Sequence, residues 1–182
     1  MRANNKTINM EKRELAKKIY DAAYITGNFV LRSGKISNEY FDKYRFESQP
    51  ELLDSIAQLM SELIPDNIDY LAALEMGGIP IATALSLKTG IPVVFVRKEA
   101  KKYGTCKLAE GLEINNKHLL IVEDVVTSGG QVVISANDLR NLGAIVNSAI
   151  CVIDRESGGK EHLKNNDIDL ISLFTMDELK QA

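Results

Sequence analysis

Glu123 and Asp124 are the residues whose types and placement first invite chemistry. They follow the apolar run Leu119-Leu120-Ile121-Val122 and precede Val125-Val126-Thr127-Ser128-Gly129-Gly130-Gln131. Four apolar residues bounded by charge predict a buried strand. Val132, Ala136, Leu139 and Leu142 then recur at helical spacing, and Gly143 suits the end of that helix. The loop therefore lies between the carboxyl end of a strand and the amino end of a helix. The first amides of a helix have no partners within it and, together with the helix dipole, favour a phosphate. Gly129 and Gly130 let the backbone approach that phosphate closely, and Thr127 and Ser128 add hydroxyl donors. Two carboxylates would repel a phosphate. They suit ribose hydroxyls, met directly or through a hydrated cation. Amides for a phosphate beside carboxylates for a sugar imply a ribose 5-phosphate group; the alternative is an ordinary strand–loop–helix connection with no ligand. Neither GxxxxGK followed by Ser or Thr nor GxGxxG occurs in the chain.

Four further segments carry groups of chemical interest. Residues 97–107, from Arg97 to Lys107, hold five of the chain's 22 basic residues, a local excess in an acidic protein. A solvated surface loop is the ordinary fate of such a run. Its place after a strand end, with Gly104 for mobility, fits instead a lid whose cations meet the charge of a departing pyrophosphate. Arg155, in Asp154-Arg155-Glu156-Ser157-Gly158-Gly159, offers a guanidinium to a ligand carboxylate, or else to Asp154 or Glu156 at the surface. Phe29, Tyr40 and Phe41 form either core or a ligand-facing cover. Glu75-Met76-Gly77-Gly78 offers backbone amides, or only a turn. Cys106 stands beside Lys107 without any sequence signature of a base, so no nucleophilic role is expected of it.

The segment from Leu119 to Gln131 resembles the phosphoribosyl-pyrophosphate motif of the type I phosphoribosyltransferases: a hydrophobic strand, two acids, two small or apolar residues, Thr, a small residue and Gly, here with Glu123 at the first acidic position. Val96-Arg97-Lys98-Glu99-Ala100-Lys101 followed by Gly104 is similar to the catalytic loop of the orotate phosphoribosyltransferases, and Phe29 to Gly34 with Ser37, Tyr40, Phe41 and Asp42 is similar to their hood. The likeness runs over roughly residues 11–174. It implies an α/β type I phosphoribosyltransferase fold, with a central, mostly parallel sheet flanked by helices and a small N-terminal hood. One domain is expected over residues 1–182, with the hood and first helix in about 11–50 and the core in about 51–182.

The same resemblance implies transfer of ribose 5-phosphate from phosphoribosyl pyrophosphate to orotate, giving orotidine 5′-monophosphate in the de novo pyrimidine route. It implies a cytoplasmic homodimer whose loop 97–110 is shared across the interface, with Arg97 and Lys101 serving the partner's site and Lys98 its own. Arg97, Lys98, Lys101 and Asp124 would be catalytic. Phosphoribosyl pyrophosphate would meet these four together with Arg32, Tyr103, Glu123, Val125, Val126, Thr127, Ser128, Gly129, Gly130 and Gln131. Thr127 and Arg155 would bind orotate. Mg²⁺ is the implied cofactor, held mainly by ligand oxygens and by no protein group directly. Departures from the family pattern are Tyr103, where many bacterial members have His, and Arg32, where Lys is usual. A phenol donates a hydrogen bond but is neutral at pH 7. The 75–78 loop also lacks the Lys that some members carry. A phosphoribosyltransferase for another base, or a non-catalytic sensor of a phosphoribosyl ligand, are the competing readings; Arg155 argues against the first and the retained basic loop against the second.

The elements that must position these groups follow from periodicity. A helix from Glu11 puts Leu15, Ile19, Ala22 and Ala23 on one face and ends at Gly27. Residues 29–46 predict an extended, hairpin-like excursion. Ser48-Gln49-Pro50-Glu51 matches a capping box with Pro in the first turn of the next helix. Strands over 70–74, 92–96, 118–122, 144–153 and 168–174, a helix over 80–87 stopping near Gly90, and a last helix capped by Thr175-Met176-Asp177-Glu178 complete the series. Strands separated by helices predict a parallel sheet covered on both faces, with ligands beyond the strands' carboxyl ends. A length of 182 residues at 45% hydrophobic suits one domain with a real core. A net charge of −3 argues against a nucleic-acid surface. No apolar run has the length of a membrane span, and no signal-peptide core is expected. Two cysteines without a CxxC pair suit a reducing compartment. His118 and His162 lack metal-ligand spacing.

Overall fold

The computed structural model describes residues 11–30, 34–101, 103–104 and 106–182. In chain order the elements begin with α1 (Lys12–Ala23), β1 (Tyr24–Val30), β2 (Ile36–Phe41), α2 (Tyr44–Glu47), α3 (Pro50–Ser61), β3 (Tyr70–Leu74) and α4 (Gly78–Thr89). They continue with β4 (Val93–Val96), β5 (Ala109–Glu110), β6 (His118–Val126), α5 (Gly130–Asn141), β7 (Ile145–Asp154), α6 (Gly159–Lys164), β8 (Asp169–Thr175) and α7 (Met176–Gln181). β1 and β2 form a separate antiparallel hairpin; the main sheet has the order β5-β4-β3-β6-β7-β8. Its strands run parallel except β5, which pairs antiparallel with β4. The expected parallel sheet flanked by helices is therefore present.

Successive side chains of a strand point to opposite faces, and the central strands are apolar on both. Leu71, Ala73, Leu120, Val122, Ile150 and Val152 pack with Leu15 and Ile19 of α1, Phe46 of α2, Ile56 and Met60 of α3 and Leu85 of α4. Ala72, Leu74, Leu119, Ile121, Ala149 and Cys151 face the other way, against Val132, Ala136 and Leu139 of α5 and Leu163 of α6. Burial on both faces explains why these strands read as continuous hydrophobic runs rather than alternating ones.

Several boundaries differ from the sequence expectation. α1 stops at Ala23, not at Gly27, because Tyr24 already pairs with Phe41 and the hairpin takes up the backbone groups. Gly27 lies inside β1, at a register irregularity between Thr26 and Phe29. Residues 44–47 are helical rather than extended. The capping box at Ser48 does not form: Gln49 is the N-cap of α3, and Ser48 Oγ instead donates to the Arg45 carbonyl at 3.3 Å, closing α2. Pro50 does occupy the first turn. β6 runs on to Val126 because Glu123, Val125 and Val126 pair with Cys151, Ile153 and Asp154 of β7. Both β5 and α6 go unannounced by the pattern. Among the described residues no helix is long and apolar enough to cross a membrane.

The final capping box forms as expected. Glu178 N–H donates to Thr175 Oγ1 at 3.2 Å, and Thr175 N–H donates to Glu178 Oε2 at 2.7 Å. This seats Met176 and Leu179 in the core beside α1. Thr175→Ala removes one partner of the box and is expected to cost about 1 kcal/mol, lowering the midpoint of thermal unfolding by about 2–4 °C. An unchanged midpoint would show that the cap contributes nothing to the docking of α7.

Candidate active site

The carboxyl ends of β6 and β7 open into a cleft of about 840 Å³. Val125, Thr127 and Arg155 line it from the sheet side, and Ser37, Tyr40 and Phe41 of the hairpin line it from above. Phe29 lies against the Tyr40 ring at 5.5 Å between centroids, while Phe41 packs against the core and beside Tyr20, so the hairpin's aromatics divide between cover and core. Tyr20, Tyr24, Glu39, Lys43, Met176 and Lys180 also reach the cleft; the sequence reading singled out none of them for such a role. Tyr24 Oη donates to Glu39 at 2.6 Å, and the Tyr24 phenol is pushed up by that bond. Asp42 is taken up in the turn, where its N–H donates to the Ala23 carbonyl at 2.8 Å.

Thr127 and Ser128 are exposed, and Gly129 then caps α5 in the left-handed region at φ 72°, where a side chain would be strained. The first amides of this twelve-residue helix point at the mouth of the loop. α6 packs beneath it. A Cβ on Gly159 would stand 2.6 Å from the Thr127 carbonyl oxygen, and one on Gly129 would stand 3.0 Å from Leu163. His162 Nδ1 lies 2.7 Å from the Ser128 carbonyl oxygen, which makes that nitrogen the N–H donor. His162 thus fixes the 127–130 loop from outside it; only its spacing from the Gly158-Gly159 pair could have hinted at this. Gln131 turns along the helix, with Nε2 donating to Ser135 Oγ at 3.3 Å.

The two acids differ. Asp124 is 0% exposed. Its Oδ1 accepts the Val125 N–H at 2.5 Å, and Lys43 Nζ lies 2.5 Å from Oδ2. A Cβ on Gly77 would fall 1.5 Å from Oδ2, so the missing side chain of Gly77 is the room this carboxylate occupies. Glu123 keeps some exposure. Burial and then the charge of Asp124 push its carboxyl up to about 8. Behind them sits Glu47, 6% exposed, with no hydrogen bond of good geometry to either carboxyl oxygen. Burial first, and the proximity of Asp124 second, push Glu47 up to about 8 as well.

The basic loop lies elsewhere. Arg97 Nε and Lys101 Nζ approach Glu110 Oε1 at 3.5 and 2.5 Å, and Lys98 N–H donates to Glu75 Oε1 at 2.7 Å. Arg97 and Lys101 line a smaller pocket with Glu75, Ile79, Phe95 and Glu110, apart from the cleft of Thr127 and Arg155. Tyr103 is 75% exposed. Arg32 lies outside the described residues. Arg155, by contrast, stands in the cleft. Asp154 is engaged by the Glu156 N–H at 2.9 Å and Glu156 by the Asp177 N–H at 3.2 Å. Among the described residues no carboxylate forms an ion pair with the Arg155 guanidinium, so the plain surface pair does not form. Cys106 is exposed and Cys151 buried, both as free thiols.

The raised acids make stability depend on pH. Glu47 and Glu123 titrate near 4.5 when unfolded and near 8 in the native state. Between those values the native state holds protons the unfolded chain has released, so stability falls as pH rises through this window. Thermal midpoints are expected to decline from about pH 5 to about pH 8, and Glu47→Gln, which keeps the shape of the protonated acid, is expected to make the decline shallower. A variant whose slope equals that of the wild type would remove Glu47 from this account.

Comparison with known proteins agrees with this geometry. Residues 44–176 match the phosphoribosyl transferase domain family. An orotate phosphoribosyltransferase from a Nocardioides species is 45% identical over 92% of this chain and 94% of its own length. One from Methanosphaera stadtmanae is 38% identical over 97% of this chain and 96% of its own. Among solved structures, the Mycobacterium tuberculosis orotate phosphoribosyltransferase in complex with phosphoribosyl pyrophosphate superposes with a TM-score of 0.79 at 26% identity, covering 93% of this chain and 98% of that one. The cleft, the loop at the start of α5 and this likeness over nearly the whole length lead to one conclusion: the chain belongs to the phosphoribosyltransferase family, among the orotate phosphoribosyltransferases.

Proposed function

We propose that this protein transfers the ribose 5-phosphate group of phosphoribosyl pyrophosphate to orotate, releasing pyrophosphate, as an Mg²⁺-dependent homodimer in the cytoplasm. One observation carries the choice of base: Arg155, without a carboxylate partner among the described residues, shares a cleft with Thr127 at the ends of adjacent parallel strands. A guanidinium kept unpaired in a concave site suits a planar carboxylate such as that of orotate. The aromatic hairpin gives the base a flat cover.

In this reading the loop amides up to Gln131 and the hydroxyls of Thr127 and Ser128 hold the 5′-phosphate, which fixes the reacting carbon. Glu123 meets the ribose hydroxyls, with Asp124 behind it. A ring nitrogen of orotate attacks C1′ as the C1′–O bond to pyrophosphate breaks, and the electron pair of that bond leaves with pyrophosphate. Backbone amides near Gly77 and Gly78, and the Lys98 cation, receive the leaving group. Arg97 and Lys101 are held on Glu110 of their own protomer; in the proposed dimer, loop 97–110 serves the partner's cleft and excludes water. Two free thiols support a reducing compartment.

With Asp124 buried on Lys43, Glu123 is the acid of the pair nearest solvent, and it is the protein group that would face an Mg²⁺ ion held mainly by ligand oxygens. Bound there, the ion would neutralise charge on the leaving group.

Loss of orotate absorbance in a mixture of protein, orotate, phosphoribosyl pyrophosphate and Mg²⁺ tests the reading. Turnover that needs all three additions is expected. No turnover, with phosphoribosyl pyrophosphate still binding by calorimetry, would redirect the assignment to another base. Arg155→Ala is expected to raise the orotate KM by about tenfold or more, and normal orotate kinetics would contradict the carboxylate role. Lys101→Ala is expected to lower kcat by about 10²-fold with little change in orotate binding; unchanged turnover would sink the lid assignment.

A further inference from the structure

Lys43 and Glu47 lie one turn apart at the start and end of α2, the spacing of an ordinary surface ion pair. They do not pair with each other. Lys43 extends to Asp124 Oδ2 at 2.5 Å, and Glu47 is buried facing the same carboxylate. Burial alone would pull the Lys43 ammonium down, but Asp124 outweighs it and the group titrates above its ordinary range. Asp124 in turn fills the space under Gly77, in the loop that precedes α4. A continuous chain of contacts therefore runs from the hood segment through Lys43 and Asp124 to the 75–78 loop. Lys43 is also 34% exposed and lines the cleft beside Thr127 and Arg155.

We propose that Lys43 is a positioning residue for phosphoribosyl pyrophosphate: it anchors the buried Asp124 carboxylate beneath Gly77 and so sets the acidic pair and the 75–78 loop at the spacing the substrate needs. This rests on the reading of the cleft as a phosphoribosyl-pyrophosphate site. Removing one member of a buried ion pair leaves the other without its counter-charge. Here the abandoned group is a carboxylate that already crowds Glu47 and Glu123. It can relieve itself by taking up a proton, which changes the charge of the acidic pair, or by turning away from Gly77 or drawing in water, which displaces the loop above it. Lys43 acts on the ligand through Asp124, so its loss should show in affinity for one substrate rather than in the fraction of folded enzyme.

The test uses full-length protein, with phosphoribosyl pyrophosphate binding followed by calorimetry and steady-state kinetics followed with orotate. Lys43→Met is expected to weaken phosphoribosyl pyrophosphate binding by about 10–100-fold and to raise its KM in parallel, while the orotate KM moves far less. Lys43→Arg, which keeps the charge, is expected to recover most of the affinity. In an Asp124→Asn background the Lys43→Met change should add little, because the two residues act as one unit. Should Lys43→Met fold poorly, Lys43→Gln, which retains a hydrogen-bond donor for Oδ2 without the charge, gives the same comparison. Wild-type-like binding by folded Lys43→Met or Lys43→Gln, or additive losses in the Asp124→Asn background, would overturn the proposal. Wild-type protein that binds no phosphoribosyl pyrophosphate would instead overturn the reading on which it stands.

Discussion

The pairing of β6 with a parallel neighbour on each side is the constraint on which the site depends. Tyr70 to Ala73 of β3 align with Leu119 to Val122, and Glu123 to Val126 align with Cys151 to Asp154 of β7. In a parallel ladder every carboxyl end emerges on the same edge. The 75–78 loop, the acidic pair, the 127–130 loop and Arg155 therefore arrive at one place although they lie as much as eighty residues apart in the chain. β6 makes a second contribution by extending beyond its apolar stretch. Its last four residues pair with β7 alone, so the acids stand proud of β3 and leave room there for Gly77 and Gly78.

At Gly77 the Asp124 carboxylate takes that room, and at Gly78 and Gly159 backbone does. A Cβ on Gly78 would lie 2.2 Å from the Val122 carbonyl oxygen, and one on Gly159 would lie 2.6 Å from that of Thr127. Neither acceptor is the end of a flexible side chain, so neither can move aside cheaply. The loops on either side of β6 are thus held at fixed heights against it by close approach. Glycine at these positions does more than permit a turn, the bland alternative for the 75–78 segment.

Much of this was legible in the sequence because it rests on patterns that span many residues. The apolar runs of β3, β4, β6, β7 and β8, the helix beginning at Gly130, the reversal at Gly90 and the cap at Thr175 each follow from periodicity or local hydrogen bonding. The short elements were not legible. β5 has two residues and α6 has six, too few to show a period. Ser48 was claimed by the preceding turn, a competition that a capping motif does not reveal. Lys43 and Glu47 were hidden for another reason. Opposite charges four apart describe a solvated helix face, and nothing local says that the face is pressed against the end of β6. Their burial is a tertiary fact, set by where the hairpin delivers α2.

The same burial resolves a difficulty in the site's electrostatics. A polyanionic ligand should avoid a place where Glu47, Glu123 and Asp124 converge. Withdrawal from water favours the neutral form of an acid, and each neighbouring negative charge adds to the effect. Glu47 and Glu123, both pushed up to about 8, carry little charge at neutral pH, while Asp124 faces the Lys43 ammonium. Three carboxyl groups thereby present far less than three charges, without any being replaced by an apolar residue. Their oxygens stay available for hydrogen bonds, which a Leu or Met in the same place would not offer. Toward the cleft stand two cations, Arg155, with no carboxylate partner among the described residues, and Lys180, reaching in from α7, beside one carboxylate, Glu39, which accepts a hydrogen bond from Tyr24. Desolvation thus does for the acids what a row of extra lysines would otherwise have to do, and it leaves the cleft open to an anion.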